Sequence, residues 1–470
     1  MALELLRLGS CRQLLYRRVK LVHVPVQRQR RFTSSTGSAL AGVSRLPILG
    51  SFWAQQPKSA SPLICSATIV HENTSAKEAL NILSQEPEAV LLYQGKYGQG
   101  QALMSAIQRR IRRQRPSQPS GKKSTVTEQW HAYRARQAWQ AASLNRVLVQ
   151  VQPPSFALPH IQHAPPHVAA VLAQAMEESH LDNDNNNNNQ PFLISWREIL
   201  ARVAAAEWQR RGVWIAALGD YLHPHFDVYP PTRQEYLALL PTTTIMLPKD
   251  NSKDDQECAA EHKVLWDVGT GTGVLTAILL QRHANWTALA TDISPLAVAC
   301  ARDNFQRLGL ADRVQVQQVD LFPTRINDDE NNNHHPQADV IVCNPPWIPA
   351  TDSQSMGASW LDRAIYDEND TMLRQFLHRV ALHLSNKHDS QVWLIVSDLA
   401  EHLQLRTRDQ LHAWIAEGGL EIVETKKATA QPTRAKKSKR QEMEDQFFPK
   451  VVQARQAETT YLFQLRKRAA

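Results

Sequence analysis

The chain has no apolar run approaching the ~18 residues of a conventional membrane-spanning helix, so no such span is expected and no membrane partner is assigned. Its five cysteines (Cys11, Cys65, Cys258, Cys300 and Cys343) contain no CxxC pair, which argues for reduced structural thiols and against a disulfide or zinc framework. No Ser–His–Asp or Cys–His grouping suggests covalent catalysis. Acidic residues are almost missing from the first 40 positions. There Glu4 stands alone against Arg7, Arg12, Arg17, Arg18, Lys20, Arg28, Arg30 and Arg31. That segment accounts for most of the net charge of +8, and the rest of the chain is close to neutral. Extensive phosphate contact by the body of the protein is therefore not expected, although local basic segments remain.

At 470 residues and 43% hydrophobic content, the chain is long enough for two domains plus flexible extras. Residues 1–40, Arg-rich and ending in Arg30-Arg31-Phe32-Thr33-Ser34-Ser35, have the composition of a mitochondrial targeting segment. The alternatives are a plain basic tail and a cytoplasmic protein. Residues 60–180 are expected to form a mainly helical N-terminal domain, with Leu103, Ile107 and Ile111 making one apolar stripe. Between Arg109 and Arg146 the only acid is Glu128, so this stretch is either an RNA-contacting surface or a solvated helix face. The Asn-rich run 183–190 is expected to be a linker, and residues 191–470 the catalytic domain. A capping-box pattern, Ser195-Trp196-Arg197-Glu198, opens a helix with Ile199, Leu200 and Val203 on its apolar side. Two further polar insertions are expected at 328–335 and 426–440. His334 and His335 lie in the first and are assigned as solvated, so no metal is expected.

The chemistry begins after Lys263. Val264-Leu265-Trp266 is a strand-type run, followed by Asp267-Val268-Gly269-Thr270-Gly271-Thr272-Gly273 and a helix-length apolar stretch from Val274 to Leu280. Strand, glycine turn and helix make up the nucleotide-binding unit of a doubly wound sheet. The dinucleotide fingerprint would need a glycine where Val274 stands, which disfavours a dehydrogenase. A pyrophosphate prefers a helix N-terminus free of competing negative charge, whereas a sulfonium cofactor with an amino-acid tail benefits from Asp267. A second strand, Trp286 to Ala290, runs into Thr291-Asp292, where an acid can accept hydrogen bonds from both ribose hydroxyls. Ser294-Pro295 then starts a helix with Ala297, Ala301, Phe305 and Leu308 on one face and Gly309 as its stop. A third strand, Val314 to Val319, ends in Asp320, placed to meet an adenine.

The fourth strand, Ala338 to Cys343, delivers Asn344-Pro345-Pro346-Trp347. Methylating a planar nitrogen requires acceptors that hold its hydrogens and turn its lone pair toward the methyl group. The Asn344 side-chain oxygen and the Pro345 carbonyl can do this, and the Trp347 ring can cover a planar substrate. Pro345 and Pro346 stiffen the loop and leave carbonyls free. Transfer is expected to be direct and in line, driven by positioning, without metal or covalent intermediate.

These segments, with Thr291-Asp292-Ile293-Ser294-Pro295, Val319-Asp320-Leu321-Phe322 and Ile348-Pro349, resemble class I methyltransferases of the small methyltransferase domain type. They are most similar to protein-(glutamine-N5) methyltransferases acting on translation release factors, over about residues 225–400. The resemblance implies an α/β, Rossmann-like fold with a doubly wound, seven-stranded, mostly parallel sheet, and S-adenosyl-L-methionine as donor. It implies that Asp267, Gly269, Thr270, Gly271, Gly273 and Asn344 line the cofactor, with Asp292 at the ribose and Asp320 at the adenine. Asn344, Pro345, Pro346 and Trp347 would form the catalytic turn. Tyr229-Pro230-Pro231-Thr232-Arg233 is similar to a substrate-side segment of the family, without its Pro-Arg-Pro-x-Thr-Glu form. Trp347 replaces the usual Tyr, and Trp360 to Asp367 replaces another usual segment. Later strands are expected at Val392 to Ser397, followed by Asp398, then at Leu420 to Val423 and, antiparallel, at Thr459 to Leu465. Three functions stay open: N-methylation of a protein glutamine, N-methylation of an exocyclic base amine in RNA, and a non-catalytic module that binds the cofactor or a partner.

Overall fold

A computed structural model describes residues 46, 48–49, 67–85, 89–114, 124–179, 190–241, 262–323, 337–350, 359–429 and 444–468. The basic 1–40 segment, the Asn run 183–189 and His334-His335 lie outside these residues. Two compact units are present. One lies chiefly within Met1–Gln118 and Ala132–Ala206; the other lies within Pro119–His131, Glu207–Met356 and Trp360–Ala470.

The first unit is built on a five-stranded sheet of β1 (Ile48–Leu49), β2 (Ala67–Val70), β3 (Val90–Tyr93), β4 (Val147–Val151) and β5 (Phe192–Ser195), in the order β1-β5-β4-β3-β2. Helices still hold most of its described residues: α1 (Ala76–Gln85), α2 (Tyr97–Arg113), most of α3 (Val126–Asn145), α4 (Pro166–Ser179) and most of α5 (Trp196–Arg211). The expected stripe on α2 is buried at Leu103, Ile107 and Ile111. A mainly helical domain is thus an incomplete description, because the helices pack on a sheet whose short apolar strands carry no readable period. Leu91, Tyr93, Val147, Val149 and Val151 face one cluster, while Val90, Leu92 and Leu148 face another. The unit also extends past the Asn run: β5 pairs antiparallel with β4, which places residues 191–206 here and not with the catalytic domain. Ser195 caps α5 as the sequence suggests, its Oγ accepting the Glu198 N–H at 3.4 Å.

The second unit carries a seven-stranded sheet: β6 (Val264–Val268), β7 (Thr287–Asp292), β8 (Val314–Gln318), β9 (Val340–Cys343), β10 (Gln391–Ser397), β11 (Leu420–Thr429) and β12 (Thr459–Lys467). The order is β8-β7-β6-β9-β10-β12-β11, parallel except for β12, which runs antiparallel to β10 and β11. Side chains alternate across it. Leu265, Val340 and Val342 meet α6 (Val274–Arg282) and α7 (Pro295–Arg307). Trp266, Ile341 and Cys343 meet α8 (Thr371–His383) and α9 (Arg408–Glu417). Helices on both faces make this the expected doubly wound α/β sheet.

β11 is longer than the expected Leu420 to Val423, and it takes in Lys426 and Lys427 from the expected basic insertion. An edge strand carrying lysines and glutamates reads as a loop, yet those same charges blunt edge-to-edge pairing. Among the described residues no helix is long and apolar enough to cross a membrane.

Candidate cofactor and acceptor site

Strand order reverses between β6 and β9, so the chain leaves their carboxyl ends in opposite directions and opens a crevice there. Val268 pairs with Cys343, which brings the following residues, Gly269 and Asn344, side by side at that crevice.

On the β6 side, the Gly269 and Thr270 N–H groups both donate to the Thr291 carbonyl at 2.9 Å, tying the glycine loop to β7. Asp267 is fully buried. Its Oδ2 accepts from the Thr270 hydroxyl (2.8 Å), the Thr276 hydroxyl (2.7 Å) and the Thr276 N–H (3.3 Å), whereas Oδ1 has no hydrogen-bond partner. Burial pushes the carboxyl up to about 6, against the pull of those donors, and the nearby Asp292 adds to the rise. A buried carboxylate oxygen left unmatched is a costly feature that a cationic ligand would relieve.

The three glycines are not equivalent. A Cβ at Gly271 would meet nothing within 4 Å, and one at Gly269 would meet only Met372 Cε at 4.0 Å, so both face open space. A Cβ at Gly273 would lie 2.7 Å from Phe305, so packing between the helices by itself demands a glycine here. Gly271 also has φ +56°, a conformation in which side chains are strained.

Asp292 ends β7. Its Oδ2 accepts the Gly271 N–H at 3.0 Å and its Oδ1 the Ser294 N–H at 2.9 Å. Burial raises its pKa, opposed by those N–H groups. Each oxygen retains a second lone pair for a sugar hydroxyl. Ser294 caps α7, accepting from the Ala297 N–H at 3.3 Å with Pro295 at the first helical position, as the sequence indicates. Asp320 lies beyond β8 and is exposed; Leu321 beside it has φ +63°. The unmatched Asp267 oxygen, the open faces of Gly269 and Gly271, and the spare acceptor capacity of Asp292 together fit S-adenosyl-L-methionine.

On the β9 side, Pro345 is buried, while Asn344, Pro346 and Trp347 are half-buried. The Trp347 Nε1–H donates to Asn344 Oδ1 at 2.8 Å and approaches the Ile395 carbonyl on β10 at 3.3 Å. The Arg233 guanidinium lies 5.2 Å from the Trp347 ring centroid, and Tyr236 meets the ring edge-on at 6.1 Å. Arg233 is itself held by Glu235 (2.6 Å) and Glu458 (2.7 Å); Glu458 also accepts the Ser397 hydroxyl at 2.6 Å. The turn leads into a short parallel pair, Ile348–Ala350 with Tyr366–Glu368. The replaced segment therefore has a structural task, with buried Asp367 accepting the Met372 and Leu373 N–H groups at the start of α8. Burial raises Asp367 to about 6.

Sequence reasoning missed Thr276, Tyr236, Glu235, Glu458 and Ser397. Thr276 lies inside an apolar helix run, and Glu458 is 225 positions from the arginine it holds. No local pattern announces either of them. Among the described residues no group of His, Cys, Asp and Glu could hold a metal ion.

Residues 252–364 match the family described as methyltransferase small domain. Among relatives, the release factor glutamine methyltransferase of Cereibacter sphaeroides is 34% identical over 93 residues, covering 19% of this chain and 29% of that one. The enzyme of that name from Shewanella oneidensis is 28% identical over 192 residues, covering 38% and 63%. The tRNA1(Val) (adenine(37)-N6)-methyltransferase of Vibrio vulnificus is 31% identical over 113 residues, covering 24% and 42%. The chain thus spans less than two thirds of each of these relatives. A SAM-dependent methyltransferase from Geobacter sulfurreducens, solved in complex with S-adenosyl-L-homocysteine, aligns at 16% identity and a TM-score of 0.27, covering 44% of this chain and 85% of that one. That score leaves the fold to rest on the strand order itself. Residues 252–364 of this chain are thus a methyltransferase small domain of the S-adenosylmethionine-dependent class.

Proposed function

We propose that this chain methylates a planar nitrogen, and that the acceptor is the side-chain amide of a protein glutamine, of the translation release factor type. The observation that carries the reading is the juxtaposition of Gly269 and Asn344 at adjacent strand ends. A loop with open glycine faces and an unmatched carboxylate oxygen stands beside a turn that presents an amide oxygen and the carbonyls of two prolines. The bound cofactor supplies an electrophilic methyl group on a sulfonium.

The chain's own residues do the rest. Asn344 Oδ1 and the Pro345 carbonyl accept the hydrogens of the target nitrogen and turn its lone pair out of conjugation. Pro345 and Pro346, lacking N–H donors, keep that turn rigid and its carbonyls available. Asp267 counters positive charge from within the core, and Asp292 holds hydroxyls. Relatives named for release-factor glutamine methylation support this acceptor.

An RNA base amine is the second reading. It is favoured by the tRNA adenine relative and by exposed Arg109, Arg110 and Arg113 in the first unit. Such a base would have to be flipped out or single-stranded. We further propose mitochondrial import through residues 1–40, tested by fusing them to a fluorescent reporter and following its location.

The deciding experiment incubates full-length protein and radiolabelled S-adenosylmethionine with purified release factor and with RNA, separately. Label in release factor, mapped to glutamine and absent with Asn344→Ala, supports the first reading. Label in RNA alone replaces it with the second. If neither acceptor takes label although S-adenosylmethionine binds, both substrates are wrong and a binding module becomes the better description.

A further inference from the structure

We propose that Trp347 is a positioning residue that sets which end of the Asn344 amide faces the target nitrogen, and that Arg233 locks Trp347 for this purpose. The inference rests on the reading of Asn344 as the acceptor of the target's hydrogens. It departs from the expectation that the Trp347 ring covers the substrate.

An asparagine amide has an accepting end and a donating end of nearly the same shape. Only the oxygen end can hold a target N–H; the NH2 end would confront it donor to donor. An indole N–H is a donor and nothing else. Placed 2.8 Å from Asn344 Oδ1, it favours the oxygen on that side and leaves the oxygen's second lone pair for the target. A half-turn of the amide would set two donors against each other, so the indole acts as a selector of the productive orientation.

The indole is itself held. Its N–H also approaches the Ile395 carbonyl on β10, and Arg233 lies over its ring. Arg233 bridges Glu235 and Glu458, and Glu458 accepts from Ser397 at the end of β10. The attraction of these two glutamates outweighs the burial that works against the charged guanidinium, so its pKa is raised. With the guanidinium over the ring and Tyr236 at its edge, the indole is engaged within the protein. The position is one where a phenol cannot substitute, because its donor is an O–H at the far end of the ring.

Trp347→Phe separates the two roles, since it keeps a stacking ring and removes only the donor. The assay is methyl transfer to purified release factor, with S-adenosylmethionine affinity measured by calorimetry as the control. A positioning role predicts a fall in kcat of about tenfold or more, KM for release factor within about threefold, and unchanged cofactor affinity. A stacking role predicts near-normal kcat for Trp347→Phe and a raised KM for Trp347→Ala. A Trp347→Phe enzyme that keeps at least half its kcat overturns the proposal.

A readout independent of turnover uses the indole N–H resonance in 1H–15N spectra, assigned by its loss in Trp347→Phe. It should be protected from solvent exchange in the wild type, and should shift and exchange faster in Arg233→Ala, with partial recovery in Arg233→Lys. An indole N–H that exchanges freely in the wild type also overturns the proposal. If release factor is not methylated by the wild type, the acceptor reading fails while the resonance still decides the role of Trp347.

Discussion

The two sides of the crevice are stabilised over very different distances along the chain. On the β6 side, Asp267, Thr270, Gly271, Thr276 and Asp292 hold one another within the single stretch 267–292, through hydrogen bonds that follow directly from strand, turn and helix. On the β9 side, Asn344 depends on Trp347, which depends on Ile395 from β10 and on Arg233, which in turn depends on Glu458, 225 positions away. The proposed cofactor side is a local motif and the proposed acceptor side a tertiary assembly.

Perturbing the two sides should give separable effects. The largest is expected at Asn344→Ala, which removes the oxygen offered to the target; transfer should fall by about 10²-fold or more. Gly271→Val fills space that lies open in the free protein, so its penalty falls on the complex. A cost of about 2 kcal/mol, near thirtyfold in S-adenosylmethionine affinity, should appear by calorimetry, with a smaller loss of stability from the side chain forced to φ +56°. Gly273→Ala sharpens the contrast, because its Cβ meets Phe305. It should lower the stability to unfolding by about 1–3 kcal/mol, read from the denaturation midpoint, with a smaller effect on cofactor affinity than Gly271→Val.

The pH dependence follows from Asp267, whose carboxyl is pushed up to about 6 by burial. In the free protein the ionised form is disfavoured, so this group's contribution to stability improves as pH falls from about 6 toward 3.8. Cofactor binding has the opposite sign, since a cation needs the carboxylate. Affinity should fall by about tenfold from pH 7 to pH 5, and Asp267→Asn should flatten that profile. Affinity independent of pH across this range would show that Asp267 does not face the cofactor's charge. The smallest effect is expected at Thr276→Val, which deletes one donor to Asp267 Oδ2 and should cost about 1 kcal/mol of stability.

The same contrast explains what the sequence makes legible. The order of strands β6 to β10 and β12, the glycine loop, Asp292 at its strand end and the Ser294 cap all follow from short-range patterns, which physical chemistry ties to one local structure. The sheet of the first unit does not. β2, β3 and β5 are four-residue runs, the last two buried throughout, and nothing in such a run distinguishes a strand from a helix segment. The packing of Gly273 against Phe305 was hidden because a glycine required for packing looks the same in sequence as one required for a ligand. The hydrogen bond from Trp347 to Asn344 was hidden for a different reason. The motif shows that an aromatic ring is present, and only the fold shows what its N–H reaches.

The division between the two sides is tested most directly by measuring, on one preparation of Asn344→Ala, both S-adenosylmethionine affinity by calorimetry and the rate of methyl transfer to release factor. The account predicts an affinity that falls far less than the rate, which drops by about 10²-fold or more. A variant that transfers methyl at the wild-type rate would contradict the placement of the acceptor at the Asn344 turn. One that loses affinity and rate in equal measure would contradict the separation of the two sides.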